Sequence, residues 1–395
     1  MAKKERLELI QEIERVRKSK VITYITSDRE NLSGIISYDA VKILYENLKK
    51  NSDSERKKID LYVFSRGGDS DIPWTIVSTF RSIVRDGEFN VIIPYYAHSA
   101  ATVIAIGADE IVMGEKGELG PIDITINRGP YNPTERNSNI RLPISVEDVT
   151  GYFALIKKIG CERPDEILSA FNLITKRVHP LALGHVNRLL EQTKLVALKL
   201  LKKRREPLSD ENNEKIVRQL SSEIFSHRHA INRDEARDDV GIKFVKDAEE
   251  DKIDNFIWEL FKEYENELSL GIPFRPEDYF LKHSDINTHT WSDEYIALIE
   301  STNGSKAYKQ SVTMKRIKKV PPTININLGN IGLPPINLPA GVNPQQIEQV
   351  ISQILNNLIP PLIEKEVNNV ANKIMSVLPD AGFEQHTHDA GWRDI

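Results

Sequence analysis

Two segments about thirty residues apart carry residue types suited to acyl transfer: Phe64-Ser65-Arg66-Gly67-Gly68-Asp69 and Tyr95-Tyr96-Ala97-His98-Ser99-Ala100-Ala101-Thr102. A serine that attacks an amide needs an exposed hydroxyl, two backbone N–H groups aimed at the developing oxyanion, and a base within hydrogen-bond reach. Gly67-Gly68 can supply one such amide and Ala100 another, because glycine lets backbone approach a substrate with no Cβ in the way. Ser99, at the start of a helix-like run, gains the positive end of that helix's dipole. Taken singly, Gly67-Gly68 reads first as a tight turn and Ser99 as a helix N-cap. Their joint order and spacing favour the catalytic reading.

The elements that must hold these segments follow from periodicity. The runs Ile59 to Phe64 and Phe89 to Ala97 are short, β-branched and aromatic-rich, and each is followed by a helix-starting pattern. An apolar run Val21 to Ile25, helix-like stretches Tyr38 to Leu48, Ile72 to Val84 and Ala100 to Ile106, and a last strand Glu110 to Met113 complete the series. Such alternation predicts an α/β fold of stacked βα units on a mostly parallel sheet. After Gly120 the pattern turns helical: Ser145 to Ile159, opened by a serine cap with Glu147 and Asp148 in its first turn, then Asp165 to Ile174 and Leu183 to Lys203.

The ends of the chain read differently. Within residues 1–20, Leu7, Ile10, Ile13 and Val16 recur every three residues, which predicts a short amphipathic helix serving as a lid, an arm or an oligomer contact. The main domain is expected over 21–285. Residues 286–343 are expected to be an extended linker or arm, since Pro321-Pro322, Pro334-Pro335 and Pro339 alternate with Asn and Ile. Ile324, Ile326 and Leu328 could instead add as an edge strand to a neighbour. A helical extension and tail is expected over 344–395, with Ile347, Val350, Ile351, Ile354 and Leu358 on one stripe.

Composition bounds the chemistry. The chain has 395 residues, 40% hydrophobic and 28% charged, with a net charge of −5, which gives no field to draw nucleic acid. The basic run Lys202-Lys203-Arg204-Arg205 reads as the solvated end of a helix. A single cysteine, Cys161, excludes an intramolecular disulfide framework and a cysteine-rich metal site and suits a reducing compartment. The N-terminus lacks the apolar core of a signal peptide and no stretch approaches the ~20 apolar residues that span a bilayer. A cytoplasmic protein is the expectation. His386 and His388 with Asp389 are too few, in a tail, to predict a metal site, and no cofactor is expected.

Further motifs extend the pair. Ser65 to Asp69, Ala97 to Thr102, Ala108-Asp109-Glu110-Ile111-Val112-Met113-Gly114 and Leu119-Gly120-Pro121-Ile122-Asp123 together resemble the serine dehydrogenase proteinase family, in the superfamily of the Clp protease and signal peptide peptidase A. Ile144 to Asp148, His179 to Gly184 and His227-Arg228-His229-Ala230-Ile231 followed by Asp234-Glu235-Ala236 also resemble it, so the likeness covers roughly residues 20–245. The resemblance implies a ClpP/crotonase-like spiral of ββα units, Ser99 as nucleophile, the Gly68 and Ala100 amides in the oxyanion hole, and peptide as substrate.

The base is the open element. Where Clp-type enzymes carry a histidine about 25 residues after the nucleophile, this chain reads Gly120-Pro121-Ile122-Asp123, with Asp123 in the histidine's place. Signal peptide peptidase A relatives use a lysine, and Tyr152-Phe153-Ala154-Leu155-Ile156-Lys157-Lys158 resembles the helix that bears it in some archaeal ones. A neutral lysine, its pKa lowered by burial, takes the serine proton. Periodicity puts Lys157 at the edge of the apolar face and Lys158 nearly opposite, whereas the ungapped motif favours Lys158; both read equally well as solvated lysines. Among the histidines, His227 and His229 rank above His98, which adjoins the nucleophile, and His179, which reads as a helix start.

The expectation is a serine peptidase that cleaves peptides or proteins through an acyl-enzyme at Ser99. The oxyanion hole would be formed by Gly67, Gly68 and Ala100, and peptide would lie extended along the Gly67-Gly68 edge. Homo-oligomerisation and a protein partner for residues 320–395 are expected. The alternative is a ClpP-fold assembly or binding protein with weak or no activity, acting through its C-terminal extension. A crotonase-type acyl-CoA enzyme shares paired amides but needs no serine at position 99.

Overall fold

The computed structural model describes residues 2–50, 57–122, 125–126, 129–135, 140–223, 229–318, 353, 357 and 380–395. The chain opens with α1 (Ala2–Arg17), β1 (Lys20–Thr26), α2 (Tyr38–Lys50), β2 (Lys58–Phe64), α3 (Ile72–Val84), β3 (Glu88–Ile93), β4 (Tyr96–Ala97), α4 (Ala100–Ile106), β5 (Glu110–Met113) and β6 (Glu118–Leu119). It continues through β7 (Thr125–Ile126), β8 (Ile144–Ser145), α5 (Val146–Lys158), α6 (Pro164–Thr175), α7 (Pro180–Lys202), α8 (Asp210–Arg218), β9 (Ile231–Asn232), α9 (Arg233–Glu235) and β10 (Val245–Asp247). It closes with α10 (Asp254–Glu267), α11 (Pro276–Lys282), β11 (Thr288–Ser301), β12 (Gly304–Lys318) and β13 (Asp380–Asp394).

The βα alternation builds the expected α/β architecture. The large sheet has the order β10-β5-β3-β2-β1-β11-β12-β13, and β1, β2, β3, β5 and β10 run parallel. A small sheet, β4-β6-β9, stands beside it. Successive turns of the chain give one strand to each sheet: β3 then β4, β5 then β6, and β9 then β10. This is the ββα spiral. Each strand of the large sheet's centre is apolar throughout because both faces are covered. On one face Ile22, Tyr24, Leu61, Val63, Val91 and Ile111 pack on α2, α3, α4 and α7. On the other, Val21, Ile25, Tyr62, Phe64 and Val112 pack on α1 and α10.

The amphipathic α1 is tied down by buried ion pairs as well as by Ile10 and Ile13. Arg6 bonds Glu300 at 2.7 Å, and Arg17 bonds Glu110 at 2.8 Å and Asp60 at 2.5 Å. Asp60 also accepts from Ser19 at 2.7 Å and Asn90 at 3.0 Å, so the buried carboxylate is fully engaged.

One expectation for the C-terminal third does not hold. Residues 288–318 are not an extended linker: they form β11 and β12, and β11 lies antiparallel to β1 with Thr23 opposite Glu300 and Thr26 opposite Ala297. The reason is apolar content, since Leu298 and Ile299 are fully buried and Ile296 nearly so. Residues 380–394, expected as a tail beyond the helical segment, form the strand β13. The proline-rich stretch 319–343 and, but for two positions, the expected helix over 344–378 lie outside the described residues.

Two compact units are distinguished: Met1–Arg275 with Asp293–Ser311 and Asp389–Ile395, and Pro276–Ser292 with Val312–His388. The second has its own small aromatic centre, in which Phe280 lies 5.2 Å from Phe383 between ring centroids and Arg316 donates to the Phe280 carbonyl at 2.9 Å.

Candidate active site

The turn after β2 and the turn before α4 are held together through Ser65. Its amide donates to the Tyr96 carbonyl at 3.3 Å and its carbonyl accepts from the His98 amide at 3.0 Å, so Ser65 bridges Ala97. Its hydroxyl is fully buried, accepts from the Gly67 amide at 3.0 Å and from Thr26 Oγ1 at 2.8 Å, and lies 3.3 Å from the Gly67 carbonyl. Thr26 reaches it because the β1–β2 register sets Ile25 beside Phe64. Thr102 adds a second clasp, donating to the carbonyls of Ala97 at 2.7 Å and Gly120 at 2.8 Å.

Gly67 and Gly68 are needed for different reasons. Gly67 has φ of +112°, and a Cβ there would stand 2.8 Å from the Ser99 Cβ and 3.0 Å from the His98 carbonyl oxygen. A Cβ on Gly68 would meet the Ile36 carbonyl oxygen at 2.1 Å. Ile36 bonds the Gly67 carbonyl at 2.8 Å and the Asp69 amide at 3.0 Å. That pairing takes one side of the glycine edge expected to receive peptide. The Gly68 N–H faces the other side, and among the described residues it donates to nothing.

Ser99 sits at φ 51° and ψ −115°, a conformation non-glycine residues rarely hold and one found at functional turns. It is the N-cap residue of α4, yet its side chain does not cap the helix. The α4 residues Ala100 to Ile106 are all buried, which fixes the turn rigidly. The Ala101 and Val103 amides bond back to His98 and Ser99 carbonyls at 3.0 and 3.1 Å. The Ala100 amide, first in the helix, has no acceptor among the described residues.

His98 points elsewhere. Its ring stacks on Tyr96 at 4.8 Å, its Nε2 lies 3.1 Å from Glu118 Oε1, and a Cβ on Gly120 would touch the ring at 2.6 Å. Burial pushes the Glu118 carboxyl above its ordinary range. Tyr96 donates to Asp28, which also pairs with Arg66 at 3.2 Å.

The candidate bases are placed unequally. Lys157 and Lys158 are exposed on α5. Lys157 lines a cavity of about 510 Å³ with Phe153, Phe171 and Leu183, a lining that does not include Ser99. His229 pairs with Glu235 Oε1 at 2.6 Å and precedes β9, which lies beside β6 with Ile231 opposite Leu119. The small sheet therefore brings the His229 segment to the side of the fold that carries Ser99. Asp123 and His227 lie outside the described residues. His179 caps α7, accepting from the Leu181 amide at 3.2 Å. His386 and His388 lie on β13, paired with Glu384 at 3.1 Å and Thr313 at 2.8 Å. No group of three or more His, Cys, Asp or Glu that could hold a metal occurs among the described residues, and none of their helices is long and apolar enough to cross a membrane.

Sequence reasoning quoted Ser65 only as motif and did not single out Thr26 or Glu118. Hydroxyl residues at the ends of adjacent parallel strands, one directly before Gly-Gly, were the available signal for the first two.

Comparison with known proteins finds similar chains. Two uncharacterized proteins of Methanocaldococcus jannaschii, MJ0137 and MJ1495, are each 33% identical over 129 residues, 32% of this chain and 44% of the relative. The chain thus spans less than half the length of these curated relatives. Among solved structures it is similar to the 1510-N membrane-bound stomatin-specific protease in a serine-to-alanine mutant form, at 15% identity and TM-score 0.30 over 58% of this chain and 81% of that one. It is also similar to the ClpP protease catalytic domain of Plasmodium falciparum, at 13% identity and TM-score 0.28 over 59% and 88%. The model of the family described as ClpP-like SDH-type serine proteinase matches residues 1–178, a span shorter at its C-terminal end than the motif series implied. The matched span includes Gly67, Gly68, Ser99 and both candidate lysines but none of the candidate histidines 179, 227 and 229, so over those residues the chain is similar to the ClpP-like SDH-type serine proteinases.

Proposed function

We propose that this protein is a serine peptidase that cleaves peptides or proteins through an acyl-enzyme at Ser99. The carrying observation is the strained Ser99 turn packed on Gly67, with the Gly68 and Ala100 amides left as donors beside it. Ser99 Oγ attacks the scissile carbonyl and loses its proton to a base; the carbonyl oxygen, now an oxyanion, is held by the two amides. The amine leaves with that proton, and water hydrolyses the ester by the reverse sequence.

Of the described candidates His229 fits the base role best, because Glu235 can orient its ring as the acid of a triad does. Lys157 and Lys158 are exposed, whereas a lysine base needs burial. The exposed apolar residues Leu155 on α5, Ile159 at its C-cap, and Leu168 and Leu173 on α6 support a homo-oligomer.

The test is labelling by a serine-reactive fluorophosphonate together with cleavage of a casein substrate. Ser99→Ala abolishes both, His229→Ala lowers both by roughly 10²-fold or more, and Lys157→Ala leaves them within about twofold. Retained cleavage in Ser99→Ala would refute the assignment, whereas a wild-type chain that neither labels nor cleaves would favour the assembly-protein reading, for which the exposure of both lysines is the observation in hand.

A further inference from the structure

The N-terminal ends of β3, β5 and β10, opposite to the strand ends that lead into the Ser65 and Ser99 turns, wall a cavity of about 350 Å³. Arg204 lines it, from the basic run read in sequence as a solvated helix end. Lys202, Lys203 and Arg205 are indeed exposed, but Arg204 is 7% exposed. Its guanidinium lies over the Phe244 ring at 3.3 Å, with Nε donating to the Ala108 carbonyl at 2.9 Å and Nη2 to the Asp109 carbonyl at 3.0 Å. Both partners are main-chain carbonyls rather than carboxylates. Its Nη1 is buried and has no partner among the described residues. Burial, with help from the Arg81 charge and against the pull of Asp109 and Glu206, pushes Arg204 down to about 10. A desolvated cation in that state is relieved by an anion brought to it.

Three of the four acids lining the cavity are already engaged. Glu88 pairs with Arg205 at 3.0 Å and Lys58 at 3.7 Å. Asp109 accepts from Arg81 and from the amides of Phe89 at 3.0 Å and Arg205 at 2.8 Å. Glu110 pairs with Arg17 at 2.8 Å and Lys246 at 2.7 Å. Glu206 is exposed. Lys243 adds a second cation to the lining, and its pairing with Asp238 at 3.6 Å is exposed at both ends, 64% and 76%.

We propose that this cavity binds a phosphate group, with Arg204 Nη1 as the buried donor and Lys243 as the second charge. A carboxylate is matched by the parallel donors of an arginine fork, but Arg204 has spent Nε and Nη2 and offers a single amino group. Two cations in one lining, Arg204 and Lys243, instead suit a multiply charged anion. This reading stands independently of the chemistry at Ser99.

The test is titration of the full-length chain with inorganic phosphate by calorimetry and thermal unfolding at neutral pH, against sodium chloride and sodium acetate at matched ionic strength. Phosphate alone is expected to raise the unfolding temperature and to saturate one site per chain. Arg204→Gln weakens binding by roughly tenfold or more. Because that variant also loses carbonyl contacts, the exposed Lys243→Glu is measured beside it and is expected to weaken binding by roughly tenfold through charge reversal. No response beyond that to chloride, an equal response to acetate, or unchanged phosphate affinity in Lys243→Glu would each overturn the proposal.

Discussion

Replacing Ser65 by alanine removes the hydroxyl that sets the Gly67 turn. That oxygen is fully buried and accepts from the Gly67 amide at 3.0 Å and from Thr26 Oγ1 at 2.8 Å. In the variant Thr26 can rotate to another acceptor, but the Gly67 N–H is fixed by a backbone at φ +112° and loses its partner. One buried donor left unsatisfied costs about 1–3 kcal/mol, which is the stability loss expected in a urea titration. The same turn carries the Gly68 N–H, the proposed oxyanion donor, and displacing it by about 1 Å is expected to lower kcat by roughly 10²-fold. Because the donor acts on the transition state, KM should stay within about twofold. The assay is the burst and steady state of a p-nitrophenyl ester, with fluorophosphonate labelling as a second readout. A Thr26→Val, Ser65→Ala cycle should show a coupling of about 0.5–3 kcal/mol. If Ser65→Ala unfolds earlier yet turns over as fast as wild type, Ser65 merely supports the fold and the positioning argument is wrong. If stability is also unchanged, the hydrogen bonds themselves carry no weight.

Two other outcomes follow from the same geometry. Gly67→Ala puts a Cβ 2.8 Å from the Ser99 Cβ at a left-handed position, so it should abolish labelling and destabilise by more than about 1 kcal/mol; a labelled, stable Gly67→Ala protein would contradict the close packing of the two turns. Burial alone would raise the Asp109 and Glu110 carboxyls, but hydrogen bonds from Arg81 and two amides hold Asp109 low, as Lys246 and Arg17 do Glu110. With folded values below unfolded ones, the folded state binds fewer protons, so this stabilisation is present above the ordinary carboxylate range and is lost as pH falls through about 4. Urea midpoints measured down the pH scale should fall there and fall less steeply in Asp109→Asn; an identical slope in the variant would count against the pairing.

Much of the fold was legible because helix and strand periods are local. The runs Ile72 to Val84, Ala100 to Ile106 and Glu110 to Met113 match α3, α4 and β5 residue for residue. The expected strand Phe89 to Ala97 divides instead into β3 and β4, because the chain passes from the large sheet to the small one between Ile93 and Tyr96. The region 288–318 was misread because it stands beside a proline-rich tract, and its pairing partner β1 lies almost 300 residues away in the chain, at Thr23 opposite Glu300. Local composition carries no record of such a contact.

The same division governs the site. Sequence alone determined that Gly67-Gly68 and Ser99 each follow an apolar strand run and lead into a helix, since such runs and helix starts are written in residue types. It also determined which residues have the chemistry of nucleophile and donor. Only the tertiary structure decided that Ser99 stands against Gly67 at a strained φ, that Ile36 occupies one side of the glycine edge, and that a buried Thr26–Ser65 pair holds the turn. It likewise paired His229 with Glu235, left the α5 lysines exposed and buried one arginine of a basic run. Burial, hydrogen-bond partners and the facing of a backbone edge depend on which distant segments the sheet registers bring together, so no reading of neighbours along the chain could have supplied them.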